Sequence, residues 1–213
     1  MNRAAGLSIA EIVSVVGMIA AYLWFGRQAS PGVNLAFAAG LLAILLYSHR
    51  QAGEGWRAIG FRWDTFWSTC RLLLPVMFAG CVLTWSAAII LRESGLPPPA
   101  RTGSPLLAQF VAFGIAQQYV MLGFIFKRVE HIGGLQGAPL ITALLFALLH
   151  LPNVFLTTVT FVWGLVCCLV YRRSPNLWAN GLAHGLLSAN LYYVLPRVLT
   201  HGLRVGMEYV AGL

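Results

Sequence analysis

The sequence FVAFGIAQQYVMLGFIF, residues 110–126, contains no charged side chain and decides the fold of this chain. Only the neighbouring Gln117 and Gln118 bring amide groups into an otherwise apolar run. A helix needs about 20 predominantly apolar residues to cross the hydrocarbon core of a membrane, and the residues just before the run are also uncharged. We therefore predict a membrane-spanning helix over residues 104–126.

The rest of the 213-residue chain has the same character. Apolar residues make up 59% of it and charged residues only 9%, whereas about 25% of an ordinary soluble domain is charged. This composition excludes a soluble globule, and the high hydrophobicity excludes intrinsic disorder. We predict an all-α fold, a polytopic membrane bundle of about seven transmembrane helices, or eight if the tail also spans. The other six predicted helices cover residues 7–26, 33–48, 71–92, 137–152, 154–171 and 176–195.

The formal net charge of +8 arises from 14 Lys and Arg against 6 Asp and Glu. No basic run with interleaved aromatic residues accompanies it, so we expect membrane lipids rather than nucleic acid as partners. Basic residues collect in cytoplasmic loops of membrane proteins. With the N-terminus inside, nine of the 14 basic residues fall on the cytoplasmic side and five outside. The sequence therefore predicts a multi-pass cell-membrane protein with a cytoplasmic N-terminus.

Three regions follow from this interpretation. Residues 1–54 form two N-terminal transmembrane helices, residues 55–195 carry the functional part, and residues 196–213 are a mixed tail. At the start of the second region, GWRAIGFRWDTFWSTC (55–70) mixes Trp and Phe with charged residues. This mixture predicts an amphipathic helix that lies in the membrane interface.

Polar side chains inside the predicted helices mark either function or contacts between helices. Gln117 and Gln118 point about 100° apart on a helix, so both can face the interior of the bundle. Glu11 is the one acid within a span, and we expect it to reach the interface or to pair with Arg3.

Two histidines lie on helices at comparable depth. His150 follows Phe146 by four residues, so ring and imidazole share one helical face. His184 has an amide four residues before it and a hydroxyl four residues after it, Asn180 and Ser188. Counted along the helices at 1.5 Å per residue, the histidines and the glutamine pair can reach one cavity. We predict a catalytic set of His150, His184, Gln117, Gln118 and Ser188, with Phe146 and Asn180 contacting substrate.

The chemistry of this cavity is restricted by what surrounds it. Two imidazoles could bind zinc, but a catalytic zinc site normally has a third protein ligand and supporting carboxylates, and no acid lies near in the sequence. A metal site is therefore disfavoured, and we expect no cofactor. A pairing of Ser188 with His184 also lacks an acid to orient the base.

The spacing of these residues resembles the CPBP intramembrane endopeptidases. That family includes the type II CAAX prenyl endopeptidases and the Abi-like bacteriocin-processing or immunity proteins. Its members carry Glu-Glu-x-x-x-Arg on one helix, Phe-x-x-x-His on the next and His-x-x-x-Asn on a later one. Gln117 and Gln118 stand at the two glutamate positions here, and Leu122 stands at the arginine position.

The other two motifs are closer to the family pattern. Phe146 and His150 match Phe-x-x-x-His fully, whereas His184 matches its motif with Ser188 in place of asparagine. The resemblance covers roughly residues 55–195. It implies that the first glutamate position supplies a general base, and that the histidines and the asparagine position stabilise an oxyanion.

Two functions remain open on the sequence. One is an endopeptidase that cleaves a membrane-associated or lipid-tagged peptide or protein, with another group as base, because a glutamine amide is not basic near neutral pH. The other is a catalytically inactive protein of the same fold that binds or escorts a client. A transporter is a weaker third hypothesis, because neither an internal repeat nor a charged relay is evident.

Overall fold

The computed structural model describes residues 3–26, 29–96, 106–134 and 136–212. Every regular element in these residues is helical, which confirms the all-α prediction. The helices are α1 (Arg3–Ala21, extended by a π-helical turn, Tyr22–Gly26), α2 (Pro31–Gln51), α3 (Phe66–Glu93), α4 (Leu107–Gln118, followed by a π-helical segment, Tyr119–Phe126), α5 (Lys127–Gly133), α6 (Ala138–Leu148), α7 (Val154–Arg173), α8 (Leu177–Val194), α9 (Arg197–Thr200) and α10 (Met207–Ala211).

Several of these helices are long and apolar enough to cross a membrane, so the chain is a multi-pass membrane protein. Within the described ranges there are five such segments: Gly6–Gly26, Pro31–Gln51, Phe66–Glu93, Leu107–Ile132 and Val154–Arg173. The predicted helices at 137–152 and 176–195 also form, as the shorter α6 and as α8. The count of seven spans, the regional boundaries and the cytoplasmic N-terminus stay predictions.

The tail does not supply an eighth span. Its helices α9 and α10 have four and five residues, whereas a transmembrane helix needs about 20. Between them lies a short 3₁₀ turn, His201–Leu203. The tail is therefore a compact surface segment, and the alternative of a further spanning helix is wrong.

The predicted amphipathic helix at 55–70 is also wrong over most of its length. Residues 55–65 form turns, and α3 begins only at Phe66. Gly60 adopts a φ of +100°, a conformation that interrupts a helix, and its carbonyl oxygen accepts a hydrogen bond of 2.8 Å from Leu177 N. The Trp63 ring stacks on Trp178 at 5.5 Å between centroids. Contacts with the start of α8 therefore replace local helical bonds.

The core of the bundle lies along the π-helical segment after α4. Met121, Leu122 and Phe124 have no exposed surface there, and Ile125 and Phe126 are each 1% exposed. Leu122, which the resemblance would align with an arginine, thus packs in the hydrophobic core. By contrast, many large apolar side chains of α1, α2 and α3 are exposed, as expected of helices that face lipid.

A buried ion cluster joins the two N-terminal helices to α5. Arg128, 2% exposed, donates to Glu11 at 2.8 Å and to Glu54 at 2.9 Å. Ser48 also hydrogen-bonds to Glu11. Glu11 therefore pairs with Arg128, which needs a carboxylate partner to be buried. The expected pairing with Arg3 falls on a side chain outside the described residues, and the reach of Glu11 to the interface stays a prediction.

Glu54 is the second carboxylate of this cluster and lies in the turn after α2. It accepts a hydrogen bond of 2.8 Å from His49 Nδ1, and Lys127 Nζ lies 3.4 Å from its other oxygen. Burial opposes its ionisation, but the hydrogen bonds from His49 and Arg128 and the neighbouring positive charges prevail and lower its pKa to about 2. Glu54 is therefore a carboxylate at neutral pH.

Candidate active site

The site begins with an unusually close approach of α4 and α8. Glycines make this approach possible: a Cβ added to Gly185 would lie 2.5 Å from Val111 Cα, and one added to Gly114 would lie 2.6 Å from the Gly181 carbonyl oxygen. Small residues allow helix backbones to come together in this way inside membranes. The glycine contact brings the end of α4 against the middle of α8.

Gln118 and His184 meet at this contact. Gln118 Nε2 lies 2.7 Å from His184 Nδ1, and their exposed fractions are 0% and 5%. With the amide nitrogen toward the ring, Gln118 donates and Nδ1 accepts, so a neutral His184 carries its proton on Nε2. The hydrogen bond from the Gln118 amide thus makes His184 a hydrogen-bond donor at Nε2.

His150 carries its ring proton on the other nitrogen, Nδ1. It lies in the turn after α6, and its Nδ1 is 2.8 Å from the backbone oxygen of Phe146. A carbonyl oxygen can only accept, so Nδ1 carries the proton and Nε2 of the neutral ring presents a lone pair. His150 can therefore accept a proton or a hydrogen bond at Nε2.

The Phe146 side chain brings the two imidazoles together. Its ring centroid is 4.8 Å from that of His150 and 5.9 Å from that of His184, both in edge-on geometry. One aromatic ring thus contacts a proton acceptor and a proton donor. Phe146 and His150 are thus in contact, as their spacing of four residues predicts.

The remaining predicted residues, Gln117, Asn180 and Ser188, make no hydrogen bond to either histidine among the described contacts. Gln117 and Ser188 are half-buried, and in the described part of the chain the hydrogen bond to His184 comes from Gln118. Asn180 is fully buried and donates to Asn176 O at 2.7 Å, while its own Oδ1 has no hydrogen-bond partner among the described residues. The structure thus brings together Gln118, Phe146, His150 and His184, and the catalytic or substrate-binding roles of all seven residues stay predictions.

Sequence reasoning missed several polar groups on the surrounding helices. Within the part of the chain that the structure describes, Thr142 Oγ1, Trp163 Nε1 and Gln118 Oε1 are buried without a hydrogen-bond partner. The thiol of Cys167 lies beside the Gln118 amide. The spacing of four residues between Thr142 and Phe146 indicates a shared helical face, but no sequence signal marks Trp163. Buried polar atoms without protein partners are available to a ligand or a water.

A metal requires more donors than these two rings. Across the described ranges, no group of three His, Cys, Asp or Glu side chains is arranged to hold an ion.

Comparison with protein families gives one match. The model described as "Type II CAAX prenyl endopeptidase Rce1-like" matches residues 99–189, the segment that contains Gln118, Phe146, His150 and His184. Searches of curated proteins and of solved structures gave no match. The predicted resemblance is confirmed: residues 99–189 match the Rce1-like type II CAAX prenyl endopeptidases, which is consistent with the CPBP family and supports a CAAX-protease-like membrane endopeptidase fold for this segment.

Proposed function

We propose that this protein is an intramembrane endopeptidase that hydrolyses a peptide bond in a membrane-associated or lipid-tagged peptide or protein. The observation that carries the proposal is the pair of oppositely polarised imidazoles at Phe146. Peptide hydrolysis needs a base for the attacking water and a donor for the oxyanion. His150 offers the base and His184 offers the donor, and both imidazoles contact the ring of Phe146.

The proposed reaction starts with water at His150. Nε2 of His150 takes a proton from the water while the water oxygen attacks the carbonyl carbon of the peptide. The Nε2–H group of His184 then donates a hydrogen bond to the resulting oxyanion. When the intermediate collapses, the carbon–nitrogen bond breaks and His150 returns the proton to the leaving amine.

Gln118 orients His184 in this scheme and does not act as base. Its donation to Nδ1 keeps the single N–H proton of the neutral ring on Nε2, where the oxyanion forms. Gln118 Oε1, which is buried without a hydrogen-bond partner among the described residues, can accept a hydrogen bond from a peptide N–H group.

The alternative is a catalytically inactive protein that binds or escorts a membrane client. The observation that favours it is the amide chemistry at Gln117 and Gln118, where the family carries carboxylates. Under this alternative, the histidines serve only as hydrogen-bonding groups toward the client. Client binding would then persist when either imidazole is removed.

The test is turnover by the purified protein in detergent micelles on a panel of lipid-tagged and membrane-tethered peptides. We expect His150→Ala and His184→Ala each to lower kcat/KM at least 100-fold, because loss of a general base or of an oxyanion donor typically costs 10²–10³-fold or more. Product masses identify the bond that is cleaved.

His131→Ala is the matched control, because His131 is exposed on α5 and its loss should leave turnover unchanged. Equal turnover in the wild type and in both site variants would contradict the proposal. Client capture by the wild type without any cleavage, retained in His150→Ala, would establish the inactive alternative.

A further inference from the structure

The C-terminal tail, defined here as residues 196–212, folds back over the turn that carries His150. Gly206 N donates to Leu151 O at 2.9 Å, and Val205 beside it is 7% exposed. Gly206 also lies against the backbone of Leu23, because an added Cβ would come within 2.5 Å of that carbonyl oxygen. The tail is thus wedged between the end of α1 and the His150 turn, and it lies outside the family match at 99–189.

Asn153 is the hub of this arrangement and has no exposed surface. Its Nδ2 group donates to the carbonyl oxygens of Thr200 and Arg204, both at 3.1 Å. Its Oδ1 accepts from Leu156 N at 3.0 Å and so caps the start of α7. Its backbone nitrogen donates to His150 O at 3.2 Å. One residue therefore joins the tail, α7 and the His150 turn.

We infer that Asn153 is a positioning residue for His150. The inference rests on the proposed function of His150 as base. The imidazole sits on a turn beyond the end of α6, where backbone is ordinarily less restrained than in a helix. The tail, held by the two Nδ2 bonds, covers that turn and fixes the orientation in which Nδ1 donates to Phe146 O.

The expected effect is large because catalysis depends on small distances. A misplacement of about 1 Å can cost 100-fold in rate. Release of the tail would let the turn move and would let the imidazole exchange its bond to Phe146 O for other orientations. The rate of the chemical step should fall, whereas substrate binding by the other helices should change little.

The test uses Asn153→Asp, which keeps an oxygen to cap α7 but replaces the donor amide by an acceptor that faces two carbonyl oxygens. Asn153→Ser is the second variant, since a hydroxyl also caps a helix and adds no charge. We expect both to lower kcat about 10- to 100-fold with KM changed less than about 2-fold. Val198→Ala, at an exposed position of the tail, is the control and should match the wild type.

A second measurement does not depend on proteolysis. In protein labelled with ¹⁵N-histidine, the signals assigned by comparison with His150→Ala should show a single Nδ1–H tautomer in the wild type. Both Asn153 variants should show averaging of the two tautomers. If no cleavage is found but this averaging occurs, the proposed function fails and the positioning by Asn153 stands. A fixed tautomer and wild-type kcat in Asn153→Ser would overturn the inference.

Discussion

At the residue scale, the adjacent side chains of Gln117 and Gln118 differ in burial and in their contact with His184. Gln118 is fully buried and hydrogen-bonded to His184, whereas Gln117 is half-buried. Replacement of Gln118 by Met keeps the approximate volume and removes the bond to Nδ1. A buried ring nitrogen without a partner costs about 1–3 kcal/mol, and the ring is then free to place its proton on Nδ1.

We therefore expect Gln118→Met to lower the apparent free energy of unfolding in detergent by about 1–3 kcal/mol and to lower turnover at least 10-fold. Gln117→Met is the natural control, with the same chemical change one residue earlier and a small expected effect. Thermal unfolding followed by Trp fluorescence and turnover on the same preparations measure both. Similar losses in the two variants would show that the contact with His184 is not what matters.

Glycine packing between α4 and α8 sets the position of the site at the scale of elements. The Cβ of Gly185→Ala would meet Val111 Cα at 2.5 Å and Phe110 O at 2.7 Å, and backbone atoms cannot rotate away as a side chain can. The helices must separate, and overpacking of this kind typically costs 1–3 kcal/mol. Separation also lengthens the 2.7 Å contact between Gln118 and His184.

We expect Gly185→Ala to lower the apparent unfolding temperature and to lower turnover by more than the stability loss alone would produce at the assay temperature. Gly17→Ala is the matched control, because no described residue lies within 4 Å of the added Cβ on α1 and alanine favours a helix more than glycine does. A Gly185→Ala protein with wild-type turnover would mean that the close approach is dispensable for the site.

These elements also show how far the sequence carries. The positions of the long helices follow from apolar runs, and the motif spacing identifies Phe146, His150 and His184. Which glutamine meets His184 does not follow, because both lie in α4 with side chains about 100° apart, so that either could face the interior of the bundle. The glycine contact that selects Gln118 is a long-range property of two helices.

The prediction of a helix over residues 55–65 fails for a similar reason. Their composition is amphipathic, but Gly60 at positive φ and the aromatic contact with α8 determine the backbone. Arg128 is a further case, since its partners Glu11 and Glu54 lie 117 and 74 residues away.

At the scale of the whole molecule, the cluster around Arg128 joins the two N-terminal helices to the segment that matches the family. Glu54 carries a pKa of about 2 against an ordinary value of 4.5. A carboxyl whose pKa is lower in the folded state stabilises that state at pH values above its unfolded pKa. The stabilisation is therefore complete above about pH 4.5 and is lost as the pH falls from 4.5 toward 2.

We expect the apparent unfolding temperature of the wild type to fall more steeply between pH 5 and pH 3 than that of Glu54→Gln. At pH 7 the variant should be less stable, by about 1–2 kcal/mol after allowance for partial solvent screening. In this variant Arg128 keeps one carboxylate partner, Glu11. Thermal unfolding in detergent across this pH range measures the difference.

Asp64 provides the control, since its pKa is also lowered to about 2, by a hydrogen bond from Arg62 and by the charge of Arg57. That pair is exposed to solvent, where ion pairs contribute little to stability and are screened by salt. Asp64→Asn should therefore leave the pH dependence close to that of the wild type in 0.5 M salt, whereas Glu54→Gln should still flatten it. If the two variants behave alike under these conditions, the buried cluster does not hold the N-terminal helices to the rest of the molecule.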